Sequence, residues 1–401
     1  MGPTIAGDSQ IITIDLRVST PIDILNLAGT KESHISIMKI TFVLPHAGLA
    51  GGIRVVAIYA DRLQKRGHEV FVVSQPLAKP SLKQRLRQWL RGKKSAVQTS
   101  HFDGLAVPHQ VLETCRPVGD RDLPDGDIVI ATWWGTAEWV AALSPNKGAK
   151  VYFVQHHEIH PYFPVERVRA TYRLPLHKIV IAEWLKTVMA EEYGDSQVSI
   201  VPNSVDLELF TAPHRSRQAA PTVGFMYSTK AWKGTDLAIQ GWQLAQKQLP
   251  NLQGIAFGSE PVSNDLPLPE GITYHYKAPQ TTLKEVYGRC DAWLFTSRVE
   301  GFGLPILEAM ACRTPVIGTP AGAAPELIRQ GGGQLVPPED PVAIAEAMVN
   351  LCTQPLDQWQ ALSAAAYQTA SRYSWEDATT LFEAALEVAL TRAIGPTPHS
   401  P

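Results

Sequence analysis

The chain of 401 residues is 45% hydrophobic and 18% charged, which gives enough apolar material for two domains with separate cores. Its formal net charge of −2 argues against a nucleic-acid-binding protein that relies on bulk positive charge. The four cysteines show neither metal-ligand nor disulfide-framework spacing, and no run of about 18 apolar residues predicts a membrane span. A reducing, cytoplasmic setting fits this composition.

Residues 1–37 differ from the chain that follows them. They lack the charged start and the long apolar core of a secretory signal. Met38 then precedes the apolar run Lys39–Leu44, which is typical of the first strand of an α/β protein. We expect residues 1–37 to be a loosely packed N-terminal extension, or to reflect a wrongly assigned start.

A strand, a helix and a second strand are predicted between residues 39 and 74. The strands are Lys39–Leu44 and Glu69–Ser74, and the helix between them has one apolar face. Such alternation is typical of a parallel α/β sheet. The pair Gly51 and Gly52, at the turn into the helix, allows a ligand to approach the backbone closely. Because this turn lacks the pattern GxGxxG, the sequence disfavours a nicotinamide-dependent enzyme.

The segment at residues 79–94, KPSLKQRLRQWLRGKK, has seven basic and no acidic side chains. Leu82, Leu86, Trp89 and Leu90 form an apolar stripe at helical spacing. This pattern predicts a helix that lies on an anionic membrane surface, at the inner face of the membrane. The alternative is a solvated helix over a substrate cleft.

Polar and aromatic side chains follow the next two predicted strands. Asp127–Thr132 precedes Trp133 and Trp134, and Lys150–Val154 precedes the run QHHE at residues 155–158. Ligands of open parallel sheets bind beyond the carboxyl ends of the strands, so both positions are site candidates.

The run contains two adjacent histidines, His156 and His157, which are the candidate site residues there. Metal binding is one alternative, but it needs a third ligand, and His160 has only a weak spacing for that role. The other alternative is a loop that satisfies its own hydrogen bonds.

A join between two domains is predicted near Val201–Phe210, where Asn203 and Asp206 are turn-forming residues. Thr222–Met226 is then predicted to be the first strand of the second domain. Lys230 and Lys233 follow this strand, and Gly258 ends a later one. A glycine at the end of a strand, as at Gly258, allows a ligand to approach the backbone closely.

The most informative segment follows the predicted strand Asp291–Phe295. It contains Glu300 on a glycine-rich turn and Glu308 on a helix, with Pro305 just inside the helix start, where its missing N–H costs nothing. The amides of residues 301–304 have no helical partner and can face an anion, and the helix dipole adds to the attraction. The Glu308 side chain leans back toward the same helix end. This pattern predicts a site for a phosphorylated ligand that carries hydroxyls, such as a nucleotide sugar.

The two carboxylates Glu300 and Glu308 have other interpretations. A glycosidase pair is disfavoured, because a continuous helix separates residues eight apart by roughly 12 Å, beyond the roughly 5–9.5 Å that glycoside hydrolysis needs. The turn between them weakens that argument. Both residues could instead be surface carboxylates on an ordinary βα unit.

The run EGFGLPILEAMACRTPVIG, residues 300–318, resembles the signature of retaining glycosyltransferase family four, whose members have the two-domain GT-B fold. The resemblance implies that Glu300 contacts the transferred sugar and that Glu308 holds the ribose hydroxyls. It also implies that the intervening amides meet the donor diphosphate; these belong to Gly301, Phe302, Gly303 and Leu304.

The same resemblance assigns roles to residues outside this run. Lys233, followed by a glycine as in the family, is implied to contact the donor diphosphate. The loop with Gly51 and Gly52 is implied to face the cleft from the first domain. Either His156 or His157 is implied to lie near the transferred sugar.

Three positions depart from the family pattern. Ser228 replaces the usual arginine, and Lys230 compensates for it only in part, because a lysine is a point charge and not a bidentate fork. Ser204 and Arg313 each replace a glycine. The replacement of the arginine by Ser228 bears directly on the strength of phosphate binding.

The predicted fold is α/β of the GT-B type, with two Rossmann-like domains whose parallel sheets face a central cleft. We expect an acceptor domain at residues 38–205, a nucleotide-sugar donor domain at 206–374 and a helix at 375–395 that crosses back to the first domain. The resemblance implies neither a cofactor nor a metal ion. We therefore interpret the acidic triplets at residues 120–122 and 125–127 as loop residues.

The leading functional hypothesis is a retaining hexosyl- or deoxyhexosyltransferase of polysaccharide biosynthesis. It would move a sugar from a nucleotide-diphosphate donor to a glycan or lipid-linked acceptor. The alternative is a catalytically inactive, nucleotide-sugar-binding regulatory or scaffold protein, which the missing arginine at Ser228 suggests. A GT-B epimerase is disfavoured because no acid and base are evidently arranged for proton abstraction.

Overall fold

The computed structural model describes residues 36–76 and 100–394 of the chain. Residues 1–35 of the predicted extension and the predicted basic helix at residues 79–94 lie outside the described residues. Of the helices that are described, none is both long and apolar enough to cross a bilayer.

The first sheet consists of seven strands, and every neighbouring pair is parallel. The strands are β1 (Lys39–Leu44), β2 (Glu69–Ser74), β3 (His109–Val111), β4 (Ile128–Ala131), β5 (Ala149–Val154), β6 (His177–Val180) and β7 (Ser199–Ile200). Their order across the sheet is β3-β2-β1-β4-β5-β6-β7. Strand β4 is apolar and buried at every position because helices cover both faces of the sheet.

The second sheet has six strands, which are also parallel throughout. The strands are β8 (Thr222–Met226), β9 (Gln253–Gly258), β10 (Ile272–Tyr276), β11 (Ala292–Phe295), β12 (Val316–Gly318) and β13 (Gly333–Leu335). Their order is β10-β9-β8-β11-β12-β13. The predicted α/β class with two parallel sheets is therefore confirmed.

Helices connect the strands of both sheets and cover their faces. Those of the first half are α1 (Gly51–Lys65), α2 (Trp134–Ala142), α3 (Val165–Thr171) and α4 (Glu183–Tyr193). Those of the second half are α5 (Thr235–Gln248), α6 (Gln280–Gly288), α7 (Leu304–Ala311), α8 (Ala324–Arg329), α9 (Pro341–Thr353), α10 (Leu356–Ala370) and α11 (Trp375–Ile394).

The last helix, α11, packs against the first sheet and not against the second. Ser374 caps it, since its hydroxyl accepts from the backbone N–H of Asp377 at 3.0 Å. The Phe382 ring stacks on Tyr59 with the ring centroids 4.3 Å apart, and it meets Phe153 edge-on at 5.3 Å. Glu383 adds a buried contact with His68 at 3.0 Å. The last described helix thus packs on the sheet that contains the first described strand.

Each sheet has one point at which the strand order reverses. In the first sheet this point lies between β1 and β4, and in the second it lies between β8 and β11. Loops that leave neighbouring strands there turn to opposite faces of the sheet and leave a crevice at the carboxyl ends. These two crevices open into one cavity, which contains the candidate site.

Candidate active site

A cavity of about 1130 Å³ lies between the carboxyl ends of the two sheets. The loops after β1, β4 and β5 line it from one side, and those after β8, β9 and β11 line it from the other. Among the predicted site residues, the following line the cavity: Gly51, Gly52, His156, Lys230, Lys233, Gly258, Glu300, Gly301, Phe302, Gly303, Leu304 and Glu308. The one predicted site residue that does not line it is His157.

The start of α7 presents free backbone amides to the cavity. Gly303 caps the helix with φ of +97°, a conformation that favours glycine, and a Cβ there would lie 2.8 Å from the Phe295 ring. Within the described residues, no protein acceptor bonds the N–H groups of residues 301–304. Together with the helix dipole, these groups can bind an anion such as a phosphate.

Glu300 and Lys233 form an ion pair on the wall of the cavity. Ser297 also donates its hydroxyl to the Glu300 carboxylate, at 3.2 Å. Lys233 ends a 3₁₀ turn, and Gly234 follows it with φ of +63°. A Cβ on Gly234 would clash with the carbonyl oxygen of Thr296, so glycine is needed to hold the lysine against this loop.

Both carboxylate oxygens of Glu308 have partners. Tyr287, which is fully buried, donates its hydroxyl to Oε2 at 2.8 Å. Arg54, on helix α1 of the first half, donates from Nη1 to Oε1 at 3.0 Å. The Arg54–Glu308 pair thus joins the two sides of the cavity.

The structure separates the two candidate histidines. His156 lines the cavity, and its Nδ1 donates to the carbonyl oxygen of His157 at 2.9 Å, which leaves Nε2 as an acceptor. Burial lowers the pKa of His156 to about 4, so its ring is neutral at pH 7. The His157 ring instead contacts the Tyr193 hydroxyl at 2.7 Å, away from the cavity. The His157 ring thus packs with Tyr172 and Tyr193 and does not line the cavity, and its role in the site stays a prediction.

Glu158 brings a carboxyl group to the side of the cavity that the first half of the chain forms, which Trp133 and Phe163 also line. Its Oε2 accepts from the backbone N–H of Trp134 at 2.9 Å. Burial raises the pKa of the Glu158 carboxyl to about 8, so this group carries a proton at neutral pH. A protonated carboxyl and aromatic faces form a surface that suits hydroxyl groups and sugar rings.

Two predicted glycines allow close backbone contacts, and at one of them, Gly301, the two sides of the cavity touch. A Cβ on Gly301 would clash with the carbonyl oxygen of Gln155, across the cleft. The carbonyl of Gly301 itself accepts from the Trp184 indole at 2.9 Å. At Gly258, a Cβ would clash with the carbonyl oxygen of Tyr227. Glycine at these positions allows backbone to approach backbone.

The departures from the family pattern have defined surroundings. Ser228 lines the cavity where the family has an arginine, and Lys230 lies close by with its Nζ 5.5 Å from the Trp232 ring centroid. Arg313 has φ of +58°, which explains why glycine is usual there. Its guanidinium lies 4.1 Å from the Tyr367 ring centroid, and Arg313 does not line the cavity.

The acidic triplets hold a loop of the first half together. Asp122 forms a bidentate pair with Arg116 at 2.6 Å, and Asp125 accepts from Lys147 at 2.7 Å. The part of the chain that the structure describes has no cluster of three or more His, Cys, Asp or Glu side chains that could hold a metal ion.

Sequence reasoning missed Arg54 and Tyr287, the two partners of Glu308. Nothing in the sequence marks Tyr287 as a site residue, because it belongs to an ordinary apolar helix face. The position of Arg54 is unusual, because it is a cation in the first turn of α1, where the helix dipole disfavours positive charge. A cation placed there needs an anionic partner from elsewhere in the fold.

Two family profiles match consecutive parts of the chain. The profile described as Glycosyltransferase Family 4 matches residues 50–209, and the profile described as Glycosyl transferases group 1 matches residues 220–354. Curated relatives include the D-inositol 3-phosphate glycosyltransferases of Corynebacterium urealyticum and Mycobacterium marinum, each 29% identical. The first match covers 47% of this chain and 51% of the relative, and the second covers 50% and 46%. The chain therefore spans about half the length of the curated relatives that it matches.

Solved structures share the fold over most of the chain. Anabaena Alr3699/HepE in complex with UDP and glucose superposes with a TM-score of 0.66 at 19% identity, and covers 88% of this chain and 100% of that one. Sucrose-phosphate synthase from Thermosynechococcus elongatus gives a TM-score of 0.62 at 15% identity, and covers 86% of this chain and 97% of that one. These likenesses confirm the predicted GT-B fold.

Proposed function

Because this chain belongs to glycosyltransferase family four and has the GT-B fold, we propose that it is a retaining glycosyltransferase that uses a nucleotide-diphosphate sugar. The sugar is a hexose or a deoxyhexose, and the acceptor is a glycan or a lipid-linked saccharide of polysaccharide biosynthesis. The observation that carries the proposal is the set of free amides at residues 301–304, which share one cavity with Lys233, Glu300 and Glu308.

The donor diphosphate lies at the start of α7 in this proposal. Cleavage of the bond between sugar and phosphate leaves negative charge on the phosphate, and the amides and Lys233 stabilise that charge as it develops. Lys230 lines the same wall and adds a second positive charge. These groups neutralise the diphosphate, so the proposed reaction needs neither a metal ion nor a cofactor.

The acceptor lies against the first half of the cavity. Trp133 and Phe163 offer apolar ring faces there, and the protonated carboxyl of Glu158 can donate a hydrogen bond to a hydroxyl. His156, neutral and with Nε2 free to accept, lies where the transferred sugar would meet the acceptor. A cavity that holds both substrates in reacting geometry supplies much of the rate enhancement.

Retention of the anomeric configuration is proposed through front-face attack. Glu300 is the carboxylate expected beside the transferred sugar, but it is paired with Lys233 and accepts from Ser297. Such a carboxylate suits binding of sugar hydroxyls better than nucleophilic attack. The donor phosphate then helps to deprotonate the acceptor hydroxyl.

The relatives guide the choice of substrates to test. Alr3699/HepE was crystallised with UDP-glucose, at 20% identity and a TM-score of 0.64 to this chain, so uridine diphosphate sugars are the first donors to test. The name of the curated relatives makes an inositol phosphate a reasonable first acceptor.

A second candidate function is a nucleotide-sugar-binding regulatory or scaffold protein without turnover. Ser228, in place of the usual arginine, favours it, because the diphosphate site then has one fixed cation fewer. Such a protein would bind nucleotide sugars but release no nucleoside diphosphate in the presence of any acceptor.

The test is turnover with UDP-, GDP-, ADP- and dTDP-sugars in the presence of saccharide and inositol phosphate acceptors. Nucleoside diphosphate release measures the rate, and NMR of the product gives the anomeric configuration. We expect Lys233→Met to lower kcat about 10²-fold, as loss of one charge-stabilising donor does. Lys247→Met, which changes an exposed lysine on α5, serves as the control and should retain full activity. Binding without turnover would favour the second candidate, and an inverted product would exclude retention.

The cytoplasmic location and the contact of residues 79–94 with an anionic membrane stay predictions. Flotation with anionic liposomes tests the contact, and the absence of binding would exclude it.

A further inference from the structure

Arg54 connects the two sides of the cavity, and no role has been assigned to it so far. We propose that Arg54 is a donor-binding residue supplied by the first domain: it releases Glu308 when the ribose enters and binds the diphosphate instead. This inference rests on the proposed function, because it presumes that a nucleotide-diphosphate sugar occupies the cavity.

The first observation is the position of Arg54. It lies in the first turn of α1, directly after Gly51 and Gly52, and its side chain is 19% exposed on the cavity wall. From there it reaches Glu308, 254 positions later in the sequence, at 3.0 Å. Gln280 lies beside it, and with its amide oxygen turned toward Arg54 it accepts from Nε at 3.0 Å. The guanidinium is therefore held within the donor half of the cavity.

The second observation is that each oxygen of Glu308 already accepts one hydrogen bond, Oε1 from Arg54 and Oε2 from Tyr287. A carboxylate oxygen can accept about two hydrogen bonds, so release of Arg54 leaves the whole of Oε1 open to the ribose hydroxyls. Tyr287 cannot move easily, because it is fully buried and its ring contacts the ring of Trp293 at a centroid distance of 4.5 Å. Arg54 comes from the opposite wall, so it is the partner that can leave.

The third observation is the distribution of charge around the expected diphosphate. Ser228 leaves the second domain without the usual arginine, Lys233 is paired with Glu300, and Lys230 is a point charge. An arginine released from Glu308 keeps its full charge and its planar fork, which matches phosphate oxygens in bidentate fashion. When Glu308 binds the ribose, Arg54 loses its anionic partner at a helix end that disfavours positive charge. The phosphates then provide a new anionic partner for Arg54.

The exchange has a consequence for the whole cleft. In the absence of donor, the Arg54–Glu308 pair links the two halves directly. With donor bound, Arg54 links the first half to the diphosphate, and Glu308 links the second half to the ribose. The nucleotide then takes over the connection between the halves, so the cleft remains closed around it.

The experiment is calorimetric titration of the full chain with a nucleoside diphosphate and with the corresponding nucleoside. The pair used is the one with the base that the wild type binds best among uridine, guanosine, adenosine and thymidine. The variants are Arg54→Gln, Arg54→Lys and the control Arg62→Gln, which changes an arginine of the same helix that pairs with Glu376 outside the cavity. Thermal unfolding of each variant shows that it is folded.

We expect Arg54→Gln to weaken the binding of the diphosphate at least tenfold and to leave the binding of the nucleoside unchanged or tighter, because Glu308 is freed. Arg54→Lys should lie between Arg54→Gln and the wild type, and Arg62→Gln should bind both ligands as the wild type does. Equal or tighter binding of the diphosphate by Arg54→Gln would overturn the inference and leave the proposed function intact. A parallel loss of nucleoside binding would assign Arg54 a structural role only. No binding of any nucleoside diphosphate by the wild type would overturn both proposals.

Discussion

At the scale of single residues, Glu158 shows how the fold sets the chemistry of one group. An aspartate or glutamate in water is ionised at pH 7, but Glu158 is half-buried on the cavity wall and accepts from one backbone N–H, that of Trp134. Its pKa of about 8 makes it a hydrogen-bond donor toward the acceptor half of the cavity. The same shift links the stability of the protein to pH.

The direction in which pH changes the stability follows from the pKa of Glu158 in the unfolded and in the folded chain. The unfolded chain loses the proton of this glutamate near pH 4.5, whereas the folded chain keeps it up to about pH 8. The contribution of Glu158 to stability is therefore fully present below pH 4.5 and is lost as the pH rises through 8. Glu158→Gln removes the titration, so the variant should gain in melting temperature relative to the wild type between pH 5 and pH 8. Glu346→Gln, at an exposed position on α9, is the control and should show the same difference from the wild type at both pH values.

Site residues were predictable from the sequence when their partners lie close to them along the chain. Glu300, Glu308 and the amides between them belong to one strand–turn–helix unit, so their common location was predictable from 30 residues of sequence. The choice between His156 and His157 was not, because it depends on how the loop after β5 turns against Tyr193. Nor was the partner of Arg54, which lies 254 positions away.

Among the secondary-structure elements, three strands have the bounds that the sequence predicts. Lys39–Leu44, Glu69–Ser74 and Thr222–Met226 have the predicted limits, because apolar β-branched runs end where polar or glycine residues begin. The edge strands β3 and β7 escaped prediction. They have three and two residues, which is too short for any periodicity to appear in the sequence.

Helix α11 makes a stability prediction that belongs to this scale. Phe382 is fully buried against Phe42, Tyr59 and Phe153 of the first half, so its truncation leaves a cavity in the core. Phe382→Ala should lower the free energy of unfolding by about 3–5 kcal/mol. Val388→Ala changes a residue of the same helix that is 38% exposed, and it should cost less than about 0.5 kcal/mol. Urea unfolding measures both, and equal losses would show that α11 is not docked as described.

In the molecule as a whole, the site needs both sheets, because each of them contributes only part of the site residues. The second sheet contributes the helix start, Lys233 and both carboxylates, and the first contributes His156, Glu158 and Arg54. Direct contacts such as that of Gly301 with Gln155 fix the site residues of one sheet relative to those of the other. The general arrangement was predictable from the alternation of strands and helices and from one motif. The contacts across the cleft were not, because no local pattern encodes which residues of two sheets meet.

A diphosphate should bind where α7 begins, between the two sheets. A crystal structure of this protein with the nucleoside diphosphate that it binds best tests this binding mode. We expect phosphate oxygens within about 3 Å of the amide nitrogens of residues 301–304 and of Lys233 Nζ. Phosphate density at any other place, with these amides left free, would show that this binding mode is wrong.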